Sequence, residues 1–346
     1  MKRLGEHFRG WIYVVFALVT LCVFFACVCL GSVAIPLRDT VRVVFDAIRG
    51  TSSPEELTLA RSVIVPVRLP RVLCVALVGA SLALAGASMQ GLLKNPLADG
   101  STLGVSSGAS LGAVISIAFG ITFPALPFAG TMIMAILFAL LSLLIILGLA
   151  YRLDYTLSTN TIILIGVIFS MFASSVMSIV ITFASDHLKS ITFWTMGSLQ
   201  GSNYRNALVV AGTLVICGAV LLRYANELNA FAVGEDNARQ IGVNVRRVRL
   251  TVLIMVSCLI GVCVSVGGTI AFVGLVTPHM VRMIVGPNHK RLLPASLFSG
   301  AVFLMLADLV SRTLLNPREL PIGVVTSIVG AVVFVCIYYR SRRGNA

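Results

Sequence analysis

The chain has 346 residues, of which 58% are hydrophobic and only 11% charged, whereas a soluble globular protein carries roughly 25% charged residues. It cannot clothe a soluble surface, so the bilayer is the solvent for most of it. A net charge of +13 would suggest nucleic acid in a soluble protein. Here the basic residues lie between apolar runs, where membrane orientation and anionic headgroups account for them, and no basic stripe interleaved with aromatics marks a nucleic-acid partner.

A span needs ~20 apolar residues. Runs that qualify lie at 11–37, 72–93, 100–151, 155–185, 206–222, 250–281, 292–307 and 320–339. The first follows Lys2-Arg3 like a signal sequence but is too long for one and lacks a small-x-small cleavage site, so it is expected to stay as a span. The 100–151 run breaks at the Pro-rich stretch Gly120–Pro127 and the 250–281 run at Gly267-Gly268. The expectation is therefore an all-α polytopic membrane protein, a single transmembrane domain over 1–346 with ten transmembrane helices.

With a cytoplasmic N-terminus, Lys94, Arg152, the cluster Arg239, Arg246, Arg247, Arg249, then Arg282, Lys290, Arg291 and the tail Arg340, Arg342, Arg343 all fall inside. The outer loop 38–70 breaks the rule with Arg38, Arg42, Arg49, Arg61 and Arg68, and Arg71 follows it. Those arginines either mark a wrong topology or have work on the outer face.

After the second span, Lys94-Asn95-Pro96-Leu97-Ala98-Asp99 forms a polar break before a run rich in small residues. A weak echo appears about half a chain later. Arg71 opens a span leading to Gly91 and Pro96, and Arg249 opens one leading to Gly274 and Pro278. Five spans per half would lie inverted, a transporter architecture with broken helices at the interface.

The segment 224–249 reads as two short helices. Glu235 and Asp236 stand in the first turn of the second and Gly242 closes it. Its Phe231, Ala232, Val233 and Ile241 would leave apolar surface in water, which calls for a covering partner. Asp308 and Arg312 stand at i, i+4 inside an apolar helix, either a functional pair at membrane depth or a self-neutralising one. His279 has no companion at metal spacing, and the eight cysteines lie in apolar runs without a Cys-x-x-Cys pair, so no metal site is expected. No phosphate-cradling G-x-x-x-x-G-K-[ST] is present, so the chain must use a gradient, move solute passively or borrow an ATPase.

Four blocks, in order over nearly the whole chain, resemble the FecCD-type permease subunits of ABC importers for iron-siderophores, haem and cobalamin. They are Arg68-Leu-Pro-Arg71; Gln90 through Asn95-Pro96 and Asp99 to Gly104 and Gly108; Gly234 to Gly242; and Ile270 through Pro278-His279 to Asp308, Arg312 and Glu319-Leu-Pro321-Ile-Gly323. The resemblance implies several roles. Gly234, Glu235, Ala238, Arg239 and Gly242 would form coupling helices that seat in a cytoplasmic ATPase, present in two copies. Arg68, Arg71 and Arg312 would dock acidic residues of an extracytoplasmic substrate-binding protein, a task that suits bidentate guanidinium contacts. Gln90, Asn95, Pro96, Gly104, Gly108, Pro278, His279, Asp308, Glu319, Pro321 and Gly323 would serve the pathway or its frame.

The pathway would lie between this chain and a second permease, a homodimer being expected, in the bacterial cytoplasmic membrane with both termini inside. The chain itself would be no enzyme and hold no cofactor, ATP and Mg belonging to the ATPase. Thr277, Ala271 and Gly100 depart from common family residues without threatening the likeness. The cargo is expected to be a ferric siderophore, with haem or cobalamin as alternatives. The competing reading is a gradient-driven secondary transporter, for which Asp308 is the main embedded carboxylate.

Overall fold

The computed structural model describes residues 10–31, 35–51, 54–100, 103–123, 130–155 and 157–343. Its apolar stretches are helical because a bilayer supplies no water to satisfy open backbone groups. In the first half run α1 (Trp11–Cys29), α2 (Leu37–Arg49), α3 (Thr58–Val63), α4 (Leu69–Leu93), α5 (Val105–Ala118), α6 (Gly130–Leu153) and α7 (Thr159–Phe183). In the second run α8 (Leu188–Thr195), α9 (Tyr204–Arg223), α10 (Ala225–Val233), α11 (Glu235–Gln240), α12 (Val245–Gly267), α13 (Val273–Val285), α14 (His289–Thr313) and α15 (Ile322–Arg343).

Among the described residues, seven helices are long and apolar enough to cross a membrane. The second of them is continuous from Thr58 through α3 and α4 to Leu93. The other three expected spans carry shorter apolar helices: α5, α13 and the Ile322–Ile337 part of α15. Two expectations about the ends of elements need correction. The first span does not run 11–37; it stops at Cys29, and α2 begins at Leu37. The outer segment 38–70 is no simple loop, since it holds α2, α3 and a π-turn at Ile64–Arg68. Much of the Pro-rich break at Gly120–Pro127 lies outside the described residues.

The echo between halves has a structural counterpart. Helix lengths run 25, 14, 24 and 25 residues for α4 to α7, and 23, 13, 25 and 22 for α12 to α15. The last turns of α4 lie beside the start of α14, where a Cβ on Gly91 would strike His289. Asn229 of α10 binds that same His289, and α12 begins on this side, with Arg249 paired to Glu235 of α11. So α4 ends where α12 starts, and the two counterparts run in opposite directions.

Helix α4 is the central element and is buried along most of its length. Its glycines let backbones touch. A Cβ on Gly86 would overlap the Gly274 carbonyl of α13, and one on Gly79 would overlap the Gly300 carbonyl of α14. Small residues at such contacts are what membrane helices use in place of a hydrophobic driving force.

Candidate transport and coupling sites

At the end of the bundle expected to face outward, five charged residues from three parts of the chain form one cluster. Arg71, in the first turn of α4, donates from Nε (3.0 Å) and Nη2 (2.9 Å) to one oxygen of Asp308. Its Nη1 reaches both oxygens of Glu319, at 3.1 and 2.8 Å. The other oxygen of Asp308 pairs with Arg312 Nε at 2.9 Å, one turn on. Arg312 Nη2 donates to the Cys27 carbonyl (3.0 Å), and Arg68 Nη1 donates to the carbonyls of Val28 (2.9 Å) and Cys29 (2.8 Å). These are carbonyls at the C-terminus of α1, which has no basic residue of its own in its last turn. Two arginines from elsewhere thus satisfy them and meet the negative end of the helix dipole. Glu319 is held in place because Leu320 N–H donates to the Ser311 carbonyl (3.0 Å) and the Ser311 hydroxyl donates back to Leu320.

Arg68, Arg71 and Arg312, the residues expected to dock a binding protein, all have partners within the folded chain. They are 6%, 8% and 5% exposed. Their guanidinium groups face the end of α1, Asp308 and Glu319. Sequence reasoning missed the acceptors because Arg71 and Asp308 are 237 residues apart. The exposed basic residues of the outer segment are Arg38, Arg42 and Arg49 on α2.

Two broken helices meet inside the protein. After α4, Lys94 takes a left-handed conformation (φ 51°) and Asn95 Oδ1 accepts the Leu97 N–H at 2.9 Å, so Asn95-Pro96 makes a side-chain-closed turn. The chain restarts at Gly104 (φ 75°), which precedes α5 and presses on the Gly166 carbonyl. Gly108 then packs on Ser142 of α6. After α12, the restart is at Phe272, a bulky residue at φ 68°, a conformation that a non-glycine side chain holds only under pressure from its surroundings. A cavity of about 240 Å³ lies between the breaks, lined by Asp99, Ser106, Ser107, Ser110, Thr269 and Phe272 among others. Gly323, just after Pro321 at the start of α15, touches the Thr269 and Met196 carbonyls at the edge of the same region.

Gln90 and Pro278, singled out separately in the sequence, act on one another. Pro278 has no N–H, so it leaves the carbonyl four residues earlier, Gly274, without its helical partner. Gln90 Nε2 donates to that carbonyl and to Leu275, both at 3.2 Å. Arg282, one turn beyond Pro278, donates to Gln90 Oε1 at 3.1 Å. His279 lies half-buried, its ring 6.3 Å from Phe334 of α15. Among the described residues no cluster of three His, Cys, Asp or Glu exists that could hold a metal.

At the opposite end of the bundle, the side expected to be cytoplasmic, Gly234 (φ 142°) separates α10 from α11. The expected ATPase contacts divide. Ala238 is fully buried and Glu235 turns inward to pair with Arg249, itself 1% exposed, whose Nη1 also donates to the Leu157 carbonyl at 2.5 Å. These two fasten the segment to the membrane part. Phe231 is likewise buried. Left facing out are Ala232, Val233, Asp236, Asn237, Arg239, Gln240, Ile241 and Gly242, with Val233 and Ile241 over 70% exposed. Beside this surface, Arg246 stacks 5.0 Å from the rings of Tyr151 and Tyr155.

Comparisons with known proteins agree with this architecture. The model of the FecCD transport family matches residues 18–340. An uncharacterized ABC transporter permease protein, YvrB of Bacillus subtilis (strain 168), is 40% identical over 91% of this chain and 89% of its own. The cobalamin import system permease protein BtuC of Halobacterium salinarum is 38% identical over 83% of this chain and 76% of its own. A solved structure presented as an inward-facing conformation of an ABC transporter assigned to the metal-chelate type superposes with a TM-score of 0.84 at 30% identity. It covers 96% of this chain and 100% of that one. A polytopic helical chain with broken helices, an embedded ion cluster and a partner-ready cytoplasmic surface belongs to the FecCD transport family, as a permease subunit of an ABC importer.

Proposed function

We propose that this chain forms half of the pathway for a metal chelate, most simply a ferric siderophore, with haem or cobalamin as the alternatives. It works as a pair of permeases in the bacterial cytoplasmic membrane, both termini inside. Energy comes from two copies of a separate cytoplasmic ATPase, which alone uses ATP and Mg, and cargo arrives on an extracytoplasmic binding protein. The observation that carries this reading is the α10–α11 surface, where Val233 and Ile241 stand in water on helices anchored from behind by Glu235, Ala238 and Phe231. An apolar patch on a rigid support is a docking site.

Further support comes from α7, which exposes Ser174, Ser175, Ser178 and Thr182 in a stripe at membrane depth. Three of these hydroxyls bond carbonyls four residues back, at 2.8 to 3.0 Å. Such a stripe suits a wet pathway shared with a second permease better than lipid. With the three buried arginines engaged, α2 offers Arg38, Arg42 and Arg49 to an acidic binding protein. The gradient-driven reading loses its main residue, because Asp308 is 1% exposed and paired with two arginines.

The test is affinity recovery of the tagged chain from its own membranes, with mass spectrometry of the associated proteins. A Walker-motif ATPase together with an extracytoplasmic binding protein is the expected result, and that binding protein can be screened against ferric siderophores, haem and cobalamin. Folded chain recovered repeatedly without an ATPase overturns the reading.

A further inference from the structure

We infer that Asn229 is a positioning residue for transport: it locks the ATPase-facing helix α10 to the cytoplasmic end of α14, so that movement of α10 reaches the outer ion cluster through α14. The inference rests on the importer reading above.

The Asn229 side chain makes three bonds to two neighbours. Its Oδ1 accepts from the His289 backbone N–H at 2.8 Å and lies 2.9 Å from His289 Nδ1. Its Nδ2 donates to Asn288 Oδ1 at 3.0 Å. With Nδ2 committed as donor, Oδ1 is the atom facing His289, and Nδ1 must carry the ring proton. The first N–H groups of a helix have no partner within it. Asn288 caps one from within the chain turn, accepting from Lys290 at 3.0 Å. Asn229 caps another from a different helix, which makes α10 part of the terminus of α14.

The ring has no freedom to leave. His289 is 4% exposed and its Nε2 is buried without a partner. That nitrogen lies against Gly91, where a Cβ would overlap it. The imidazole is thus wedged between Asn229 of α10 and the last turn of α4. A buried acceptor left without a donor is unfavourable.

At its other end α14 carries Asp308 and Arg312, which hold Arg71 of α4 and the C-terminus of α1. The helix is 25 residues long, or about 37 Å at 1.5 Å per residue. It is a stiff element with one polar lock at each end, and such an element couples distant sites when both locks bias its position. The cytoplasmic lock is reached from α10, which sits beside the exposed Val233 and Ile241.

The experiment uses the complex purified with its own ATPase and reconstituted in lipid. Spin labels at Leu208 and Leu314, both exposed toward the outer ends of α9 and α14, report their separation with and without ATP plus vanadate. In the wild type, nucleotide should shift this distance. Asn229→Leu, which keeps the branched shape and removes all three bonds, should lose the shift while ATP hydrolysis persists. His289→Leu, which removes the Nδ1 donor, should lose most of it. Asn229→Asp keeps the acceptor for His289 but loses the Nδ2 donor to Asn288, and should keep most of the shift. A variant of Asn229→Leu or His289→Leu that assembles and shows the wild-type shift overturns the inference, as does loss of the shift in Asn229→Asp. A wild-type chain that carries no ATPase overturns the importer reading itself, and the lock falls with it.

Discussion

Arg71 and Asp308 lie 237 residues apart and are joined by two hydrogen bonds to a single carboxylate oxygen, at 3.0 and 2.9 Å. The second oxygen of Asp308 pairs with Arg312. One buried acid therefore bridges two buried arginines, and Glu319 supplies the second negative charge. Asp308→Asn should destabilise the chain by about 3–5 kcal/mol, the cost of leaving buried charge uncompensated. Thermal unfolding in detergent would show it as a marked fall in the midpoint. A midpoint equal to that of the wild type would mean that water, and not Asp308, compensates the arginines.

Gln90 and Pro278 form a testable pair. Gln90→Met removes the donor to the Gly274 carbonyl and should cost about 1–3 kcal/mol, the penalty of an unsatisfied buried acceptor. In Pro278→Ala the helix supplies its own N–H to that carbonyl. Adding Pro278→Ala should therefore recover much of the loss, and a double-mutant cycle should show clear coupling. Simple additivity would show that the two do not share the carbonyl.

The α10–α11 segment separates anchoring from docking. Val233→Asp or Ile241→Asp places charge on residues that are 72% and 71% exposed. Each should abolish ATPase recovery in the affinity experiment and leave thermal unfolding unchanged. Glu235→Lys reverses the partner of buried Arg249 and should lower the unfolding midpoint as well. If Ile241→Asp retains the ATPase, the docking surface lies elsewhere.

Close packing of α4 gives a further prediction. Gly86→Val would drive a branched side chain into the Gly274 backbone, which has no flexible atom to move aside. A loss of about 3 kcal/mol or more is expected, at the upper end of overpacking costs. Normal expression and unfolding of that variant would show that α13 can withdraw from α4.

Much of the fold was legible because a bilayer imposes one strong rule. Charge-free apolar runs must be helices, and each of the runs in 72–93, 206–222 and 292–307 holds α4, α9 or α14. The breaks were legible too, since Asn95-Pro96 and Gly267-Gly268 cannot continue a helix. The outer segment was misread as a loop because α2 is amphipathic rather than apolar and escapes a search for charge-free runs. The internal partners of the arginines were not legible for another reason. An arginine that docks a partner and one that satisfies carbonyls within its own chain have the same sequence signature beside a span.

The sequence by itself determined the class of solvent, the helical content and the order of the family motifs, because these depend on local composition and spacing. Only the tertiary structure decided which charges face one another, that Gln90 repairs the gap left by Pro278, and that Asn229 caps α14. Those outcomes depend on helices distant in the chain being brought within about 3 Å, the reach of a hydrogen bond, and no local pattern encodes that contact.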